Sequence, residues 1–373
     1  MNKKNIEPYI STYLHRKGHK LGLPIAGNFE LTARCNFNCP MCYVHMTDEQ
    51  VAASGKELTA QQWLDIAGAA KDRGMVFALL TGGEPLVRKD FFEIYDGMRK
   101  MGILISINTN GSMLTGPILE RFLEAPPLRF NISLYGGSND TYRNMCGLAV
   151  YDQVKENIRR LRQAGVDVSL NLSITPYNKD DLAKIYADAV ELDVNVKASS
   201  YMYPSVRTNG AQYGCGNRLS CEESAKYAVA WDLIRFPEDV FEQRTRKLAQ
   251  FQPIESDGCP VEVGEGVRCR AGSTSFWMTW DGRMLPCGMM TTPAVKPLEI
   301  GFDAAWEQIR NETAKIRTPA KCIKCDYKEI CGACAAVYFT ETGKFDEVPE
   351  YVCRRAEEIV RQSQKACEER KQK

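Results

Sequence analysis

The sequence predicts an α/β protein: a run of six βα units with a parallel sheet, followed by a small cysteine-rich region carrying a β-hairpin and helices. Two observations predict it. Between residues 26 and 200, short β-rich runs alternate with stretches of helical periodicity, the pattern of repeated βα units. From Cys259 to Cys353 the rhythm gives way to eight cysteines in under a hundred residues. The chain therefore divides into an N-terminal arm (1–25), a barrel-like region (26–200), a bridging loop and helix (201–258), a cysteine-rich domain (259–353) and a C-terminal helix (354–373).

The elements are legible in order. Residues 1–25 mix Lys, Arg, His and Gly and read as an arm or lead-in helix. Strands are expected at Asn28–Ala33, Met75–Leu80, Ile103–Asn108, Arg129–Leu134, Val166–Ile174 and Asn195–Ser200. Thr59 is a cap for a helix through Trp63 and Ile66, and Val154, Ile158 and Leu161 mark one face of another before Gly165 stops it. Asp180 to Leu192 repeats that pattern. The Gly- and Asn-rich residues 209–217 read as loop, followed by a helix from Cys221 to Arg235 with Ser220 as its N-cap. Alternating aromatic residues leading into Asp281-Gly282 predict a hairpin with Cys269 and Cys287 near each other at its ends. Beyond Cys353 a charged helix reads as a solvated cap.

Composition narrows the function classes. The 373 residues carry a net charge of +1 with no long basic run, so no nucleic-acid footprint is visible. The basic first residues are not followed by a continuous apolar stretch, which gives no signal peptide or membrane span and predicts a cytoplasmic protein. In that setting fifteen cysteines argue for metal or cluster ligation rather than disulfides. Only His15, His19 and His45 could offer imidazole, so sulfur carries the chemistry.

The central motif is Cys35-x3-Cys39-x2-Cys42, directly after the first strand. Three thiolates on one short loop can hold three corners of a cubane iron–sulfur cluster, leaving one iron open. An open metal position is where chemistry happens. A zinc site is the alternative, although this spacing is not the usual one for zinc. Thr81-Gly82-Gly83-Glu84-Pro85 follows the second strand, where paired glycines allow a backbone to approach a ligand closely.

These residues, with Met41 before and Tyr43 after the last cysteine, resemble the signature of the radical S-adenosylmethionine (SAM) enzymes. The resemblance implies a partial (β/α)6 TIM-like barrel with its site on the rim at the strand C-terminal ends. It implies that SAM chelates the open iron of a [4Fe–4S] cluster and is split to a 5′-deoxyadenosyl radical. Tyr43, Gly82, Gly83 and Glu84, with Asn110, Ser133 and Arg143, would then contact SAM. The later cysteines look like the SPASM extension of that family, which binds two auxiliary [4Fe–4S] clusters. Carried over, the resemblance assigns Cys259, Cys269, Cys287 and Cys334 to one cluster and Cys322, Cys325, Cys331 and Cys353 to the other. Cys331-x2-Cys334 is one residue shorter than the family's spacing, which puts Cys334 in question, and a zinc knuckle over Cys322–Cys334 is the alternative.

If all eight thiolates ligate, neither auxiliary cluster has an open iron, and electron transfer is their simplest role. The family's commonest substrates are peptides, so the resemblance implies a maturase acting on a ribosomally made precursor. Hydrogen abstraction would be followed by a thioether, C–C or C–O cross-link or another modification, with a flavodoxin- or ferredoxin-type electron donor as partner. A formylglycine-forming sulfatase maturase is one alternative, weakened because Gly288 rather than an acid follows Cys287. A small-molecule radical dehydrogenase, acting for instance on tetrapyrroles, is another. A non-enzymatic electron carrier would have no use for the Gly82-Gly83-Glu84 loop. The catalytic base is not identified, and Cys146, Cys215, Cys221 and Cys367 read as ordinary thiols.

Overall fold

The computed structural model describes residues 7–204, 217–249 and 265–371. Its first half runs α1 (Glu7–Leu21), β1 (Ala26–Glu30), α2 (Asp48–Ser54), α3 (Ala60–Asp72), β2 (Phe77–Thr81), α4 (Phe91–Lys100), β3 (Leu104–Thr109), α5 (Gly116–Glu124), β4 (Arg129–Ser133), α6 (Asn139–Cys146), α7 (Tyr151–Gln163), β5 (Val168–Ser173), α8 (Leu182–Glu191) and β6 (Asn195–Ser199). All six strands form where the sequence predicts them, with starts within two residues. Then follow α9 (Cys221–Arg235), α10 (Glu238–Ala249), β7 (Ser275–Met278), β8 (Met284–Leu285), α11 (Pro297–Ile300), α12 (Phe302–Lys315), α13 (Lys328–Cys331), α14 (Ala335–Thr342) and α15 (Glu350–Lys371).

The sheet order is β6-β5-β4-β3-β2-β1-β7-β8. β1 to β6 are parallel neighbours, the partial barrel expected of six βα units. Parallel strands demand crossovers, and the helices between them bury their apolar stripes against the sheet. Capping fixes where those helices begin: the Thr59 hydroxyl accepts from Gln62 N at 3.3 Å, and Thr59 N donates to Gln62 Oε1 at 2.9 Å. Alternate strand residues Phe29, Leu80, Ile107, Phe130 and Leu170 are fully buried on the helix side. Phe29 makes edge contacts with Trp63 and with Phe276 of β7.

Three features differ from the sequence reading. The predicted hairpin forms, but β7 also pairs in parallel with β1, Ala26 opposite Ser275 through Phe29 opposite Met278. The hairpin thus extends the barrel sheet, a pairing between distant segments that local periodicity does not reveal. The bridging segment holds a second helix, α10, beyond the predicted one. Finally, the last helix is no solvated cap: α15 begins before Cys353 and lies along α9, with Val352, Ala356 and Ser363 buried. Arg355 donates from there to Ser224 at 2.7 Å and to Ser200 at 3.0 Å. The N-terminal arm is a helix that docks on the start of β7, where His15 Nδ1 and Thr274 Oγ1 are 2.7 Å apart. No helix among the described residues is long and apolar enough to cross a membrane.

Candidate active site

The cysteine loop leaves the C-terminal end of β1 and is held from below by the loop after β2. Gly83 N donates to Thr32 O and Glu84 N to Arg34 O, both at 2.9 Å, so strand-like pairing continues past the sheet. The glycines are what permit this approach. A Cβ on Gly83 would stand 2.4 Å from Arg34 O, and Gly82 adopts φ +149° with Thr32 O as close. Arg88 braces the same junction, donating to Leu31 O and Leu58 O at 2.9 Å while paired with Asp90.

The three thiols are electrostatic neighbours of one another. Two of the sulfurs receive backbone hydrogen bonds, Cys35 from Phe37 N and Cys42 from His45 N, each at 3.3 Å. Burial pushes the Cys35 thiol up to about 12, and a hydrogen bond with Cys146, burial and Cys42 raise Cys39 further still. Such thiols do not ionise unaided at neutral pH, whereas iron binding deprotonates a coordinating thiol. N–H···S bonds to the ligating sulfurs are also a means of setting cluster potential. The donor set therefore fits a cluster.

The SAM-contact candidates separate. Asn110, at the end of β3, donates from Nδ2 to Asn36 Oδ1 at 2.8 Å and lies 3.9 Å from Cys35 Sγ, which puts it on the cysteine loop. Its own oxygen is held by Ser112, from N at 2.9 Å and Oγ at 2.7 Å. Glu84 is fully buried, and its carboxylate accepts from Thr109 Oγ1, Asn110 N and Leu86 N, so it locks the β2 loop to the end of β3. Ser133 ends β4 and hydrogen-bonds Tyr135, which lies beside all three cysteines. Tyr43 lines a 520 Å³ cavity with Glu30, Gln50, Trp280 and Arg283. Arg143 pairs with Asp140 at 2.6 Å on the exposed side of α6. It shares that helix with Cys146, which the sequence reading set aside as an ordinary thiol and which instead touches Cys39, its carbonyl accepting from Asn38 N at 3.2 Å.

The later cysteines gather in two groups. Cys331 and Cys353 each lie within electrostatic reach of Cys322 and Cys325, and burial pushes Cys353 up to about 11. All four line a cavity of about 940 Å³, at whose edge Cys269 and Cys334 also stand. Cys269, Cys287 and Cys334 lie beside Tyr203. Tyr338 lies beside Cys322, Cys331 and Cys353. Each group thus has one tyrosine as a neighbour. Nothing in the sequence marks Tyr203 or Tyr338, although Tyr203 lies in the bridging segment 201–258. Cys259 and Cys215 lie outside the described residues. Gly288 follows Cys287 with no space for a side chain, since a Cβ there would lie 2.7 Å from the Trp277 ring.

A parallel partial barrel with three converging thiols and a glycine-built loop at its rim is the architecture of a radical SAM enzyme. Residues 29–189 match the model of the Radical SAM superfamily, and the chain is a radical SAM enzyme, working with SAM and a [4Fe–4S] cluster. Over 341 residues it is 26% identical to an AdoMet-dependent heme synthase of Methanosarcina barkeri (strain Fusaro / DSM 804), covering 87% of this chain and 94% of that one. It is also 26% identical over 304 residues to a PqqA peptide cyclase of Streptomyces rochei, covering 79% of this chain and 78% of that one. In fold it is similar to the crystal structure of Streptococcus suis SuiB bound to precursor peptide SuiA, with a TM-score of 0.65 at 18% identity over 90% of this chain and 77% of that one.

Proposed function

We propose that the protein is a peptide-modifying radical SAM oxidoreductase whose C-terminal region is of the SPASM type and holds two auxiliary [4Fe–4S] clusters. When bound, the barrel cluster and SAM supply a primary carbon radical able to remove hydrogen from an unactivated carbon. Cys35, Cys39 and Cys42 hold the cluster, Asn110 orients their loop, and the Gly82-Gly83-Glu84 segment with Ser133 and Tyr43 forms the SAM cradle. The observation that carries the reading is the sorting of the later cysteines into two groups. Cys322, Cys325, Cys331 and Cys353 make one full ligand set; Cys269, Cys287 and Cys334 make the other, completed by Cys259. Full thiolate sets would leave no iron open for a substrate atom, so the clusters they hold would supply an acceptor for the electron released in cross-linking. A one-electron carrier protein supplies and removes electrons.

The peptide substrate class is favoured by the peptide cyclase relative and by the precursor peptide in the similar crystal structure. The heme synthase relative, aligned over nearly its whole length, favours an iron tetrapyrrole as the second reading. The Gly288 contact with Trp277 argues against a base at that position, and so against formylglycine formation.

Anaerobic reconstitution should give about twelve irons per chain, falling to about eight when Cys322, Cys325, Cys331 and Cys353 are all changed to Ala. The Cys35/Cys39/Cys42→Ala variant should make no 5′-deoxyadenosine. Co-expression with short neighbouring reading frames should yield a peptide lighter by two hydrogens. A reconstituted protein that leaves such peptides unchanged but binds and converts an iron tetrapyrrole would establish the second reading.

A further inference from the structure

Charge on this chain is nearly balanced, with 48 basic against 47 acidic side chains, yet one face is not. Where α1 docks on the start of β7 there is an open cavity of about 880 Å³. Arg16, His19 and Lys20 of α1 form one wall, and Arg268 and Arg270, just before β7, form another. Among the described residues no Asp or Glu lines it. Arg268 is paired with Glu265, but Arg16, Lys20 and Arg270 make no ion pair among the described residues. The C-terminal dipole of α1 accounts for cations in its last turn, His19 and Lys20. It does not account for Arg270 or Arg268 on the other wall.

What lies at the floor decides what the patch is for. Cys269, which is exposed, and Cys287 line the same cavity. Both belong to the group around Tyr203. The one buried imidazole in the wall, His15, is held down to about 4 by burial and Arg270, so it is a neutral packing group at physiological pH. A concentrated positive field thus surrounds the thiols at the surface. Fields of this kind raise encounter rates with oppositely charged partners by about 10 to 1,000-fold and weaken steeply with salt.

We propose that this basic cavity is the docking site of a small acidic one-electron carrier protein, which exchanges electrons with the cluster held by Cys269 and Cys287. This rests on the auxiliary-cluster reading above. One electron leaves the carrier and the cluster gains it, or the reverse; no bond is made or broken. An acidic segment of a substrate peptide has the same charge, but binding the peptide here gives no reason for cluster thiols at the floor.

The test uses reconstituted full-length protein and flavodoxin as the probe. Flavodoxin affinity, followed by flavin fluorescence anisotropy, and the rate of cluster reduction by flavodoxin hydroquinone should each fall at least about tenfold in an Arg16→Glu/Arg270→Glu variant. Both should fall with salt in the wild type. Reduction by dithionite, a small ion needing no docking surface, should keep its rate to within about twofold at high salt, where the field is screened. Unchanged flavodoxin binding and rate in a variant with full iron content would overturn the proposal, as would equal losses with dithionite at high salt. Loss of affinity for a polyglutamate peptide with flavodoxin exchange intact would overturn it in favour of a peptide site. A wild-type iron content of only about four per chain would instead remove the auxiliary-cluster reading itself.

Discussion

Gly83 shows how little tolerance the rim has. Its neighbour at 2.4 Å is the Arg34 backbone, which cannot rotate away as a side chain could. Gly83→Ala should therefore cost about 1–3 kcal/mol in denaturant unfolding and lower the iron bound by the barrel site, since Arg34 adjoins Cys35. Glu84 offers a pH signature. Burial pushes it up to about 7 from 4.5, so the folded state keeps a proton that the unfolded chain has lost in that window. The associated stability is complete below about pH 4.5 and disappears as pH rises through 7, about 3 kcal/mol in all. Glu84→Gln should remove this slope from the unfolding free energy of the cluster-free protein between pH 5 and 7. Tyr203 and Tyr338 give a third measurement. If the two groups hold the proposed clusters, losing a neighbouring hydroxyl makes reduction harder, so Tyr203→Phe and Tyr338→Phe should each lower one potential by on the order of tens of millivolts in an EPR-monitored titration.

At the level of elements, the later cysteine groups are positioned by contacts with segments that lie far from them in sequence. Arg355 of α15, two residues from Cys353, is half-buried and bonded to Ser224 of α9 and to Ser200 beyond β6. Arg355→Ala should destabilise the protein by about 2–4 kcal/mol by thermal or denaturant unfolding and reduce iron at the Cys322 group, because hydrogen bonds to a charged donor are each worth about 1.5–3 kcal/mol. The barrel strands were legible because buried parallel strands advertise themselves: runs such as Phe77–Thr81 and Arg129–Ser133 are bounded by turns and spaced by helical stretches. α9 was legible to the residue, since Ser220 caps it by accepting from Glu223 N at 3.1 Å. The docking of α15 was not. Its sequence is dense in charge, and only the packing of Val352, Ala356 and Ser363 against α9 separates it from a solvated helix. For Arg143 a position in a helix is readable from sequence, while its pairing with Asp140 is seen only in the fold.

For the whole molecule, the cysteine motifs said what the chemistry is while their spatial sorting came from the fold. Spacing alone could not say that Cys334, three residues from Cys331, turns toward Tyr203 while Cys331 turns toward Cys322 and Cys353. Nor could it say that Cys146 reaches Cys39, since α6 must first be laid across the barrel rim. The junction between halves is the pairing of β7 with β1, four residue pairs in register with the strand that delivers the cysteine loop. Because that ladder is stiff and directly seats both sulfur-bearing regions on a single slab, they cannot swing apart like jaws to admit a guest. Whatever enters must do so without a hinge opening between them, and the distance from one region to the other is set by the ladder itself.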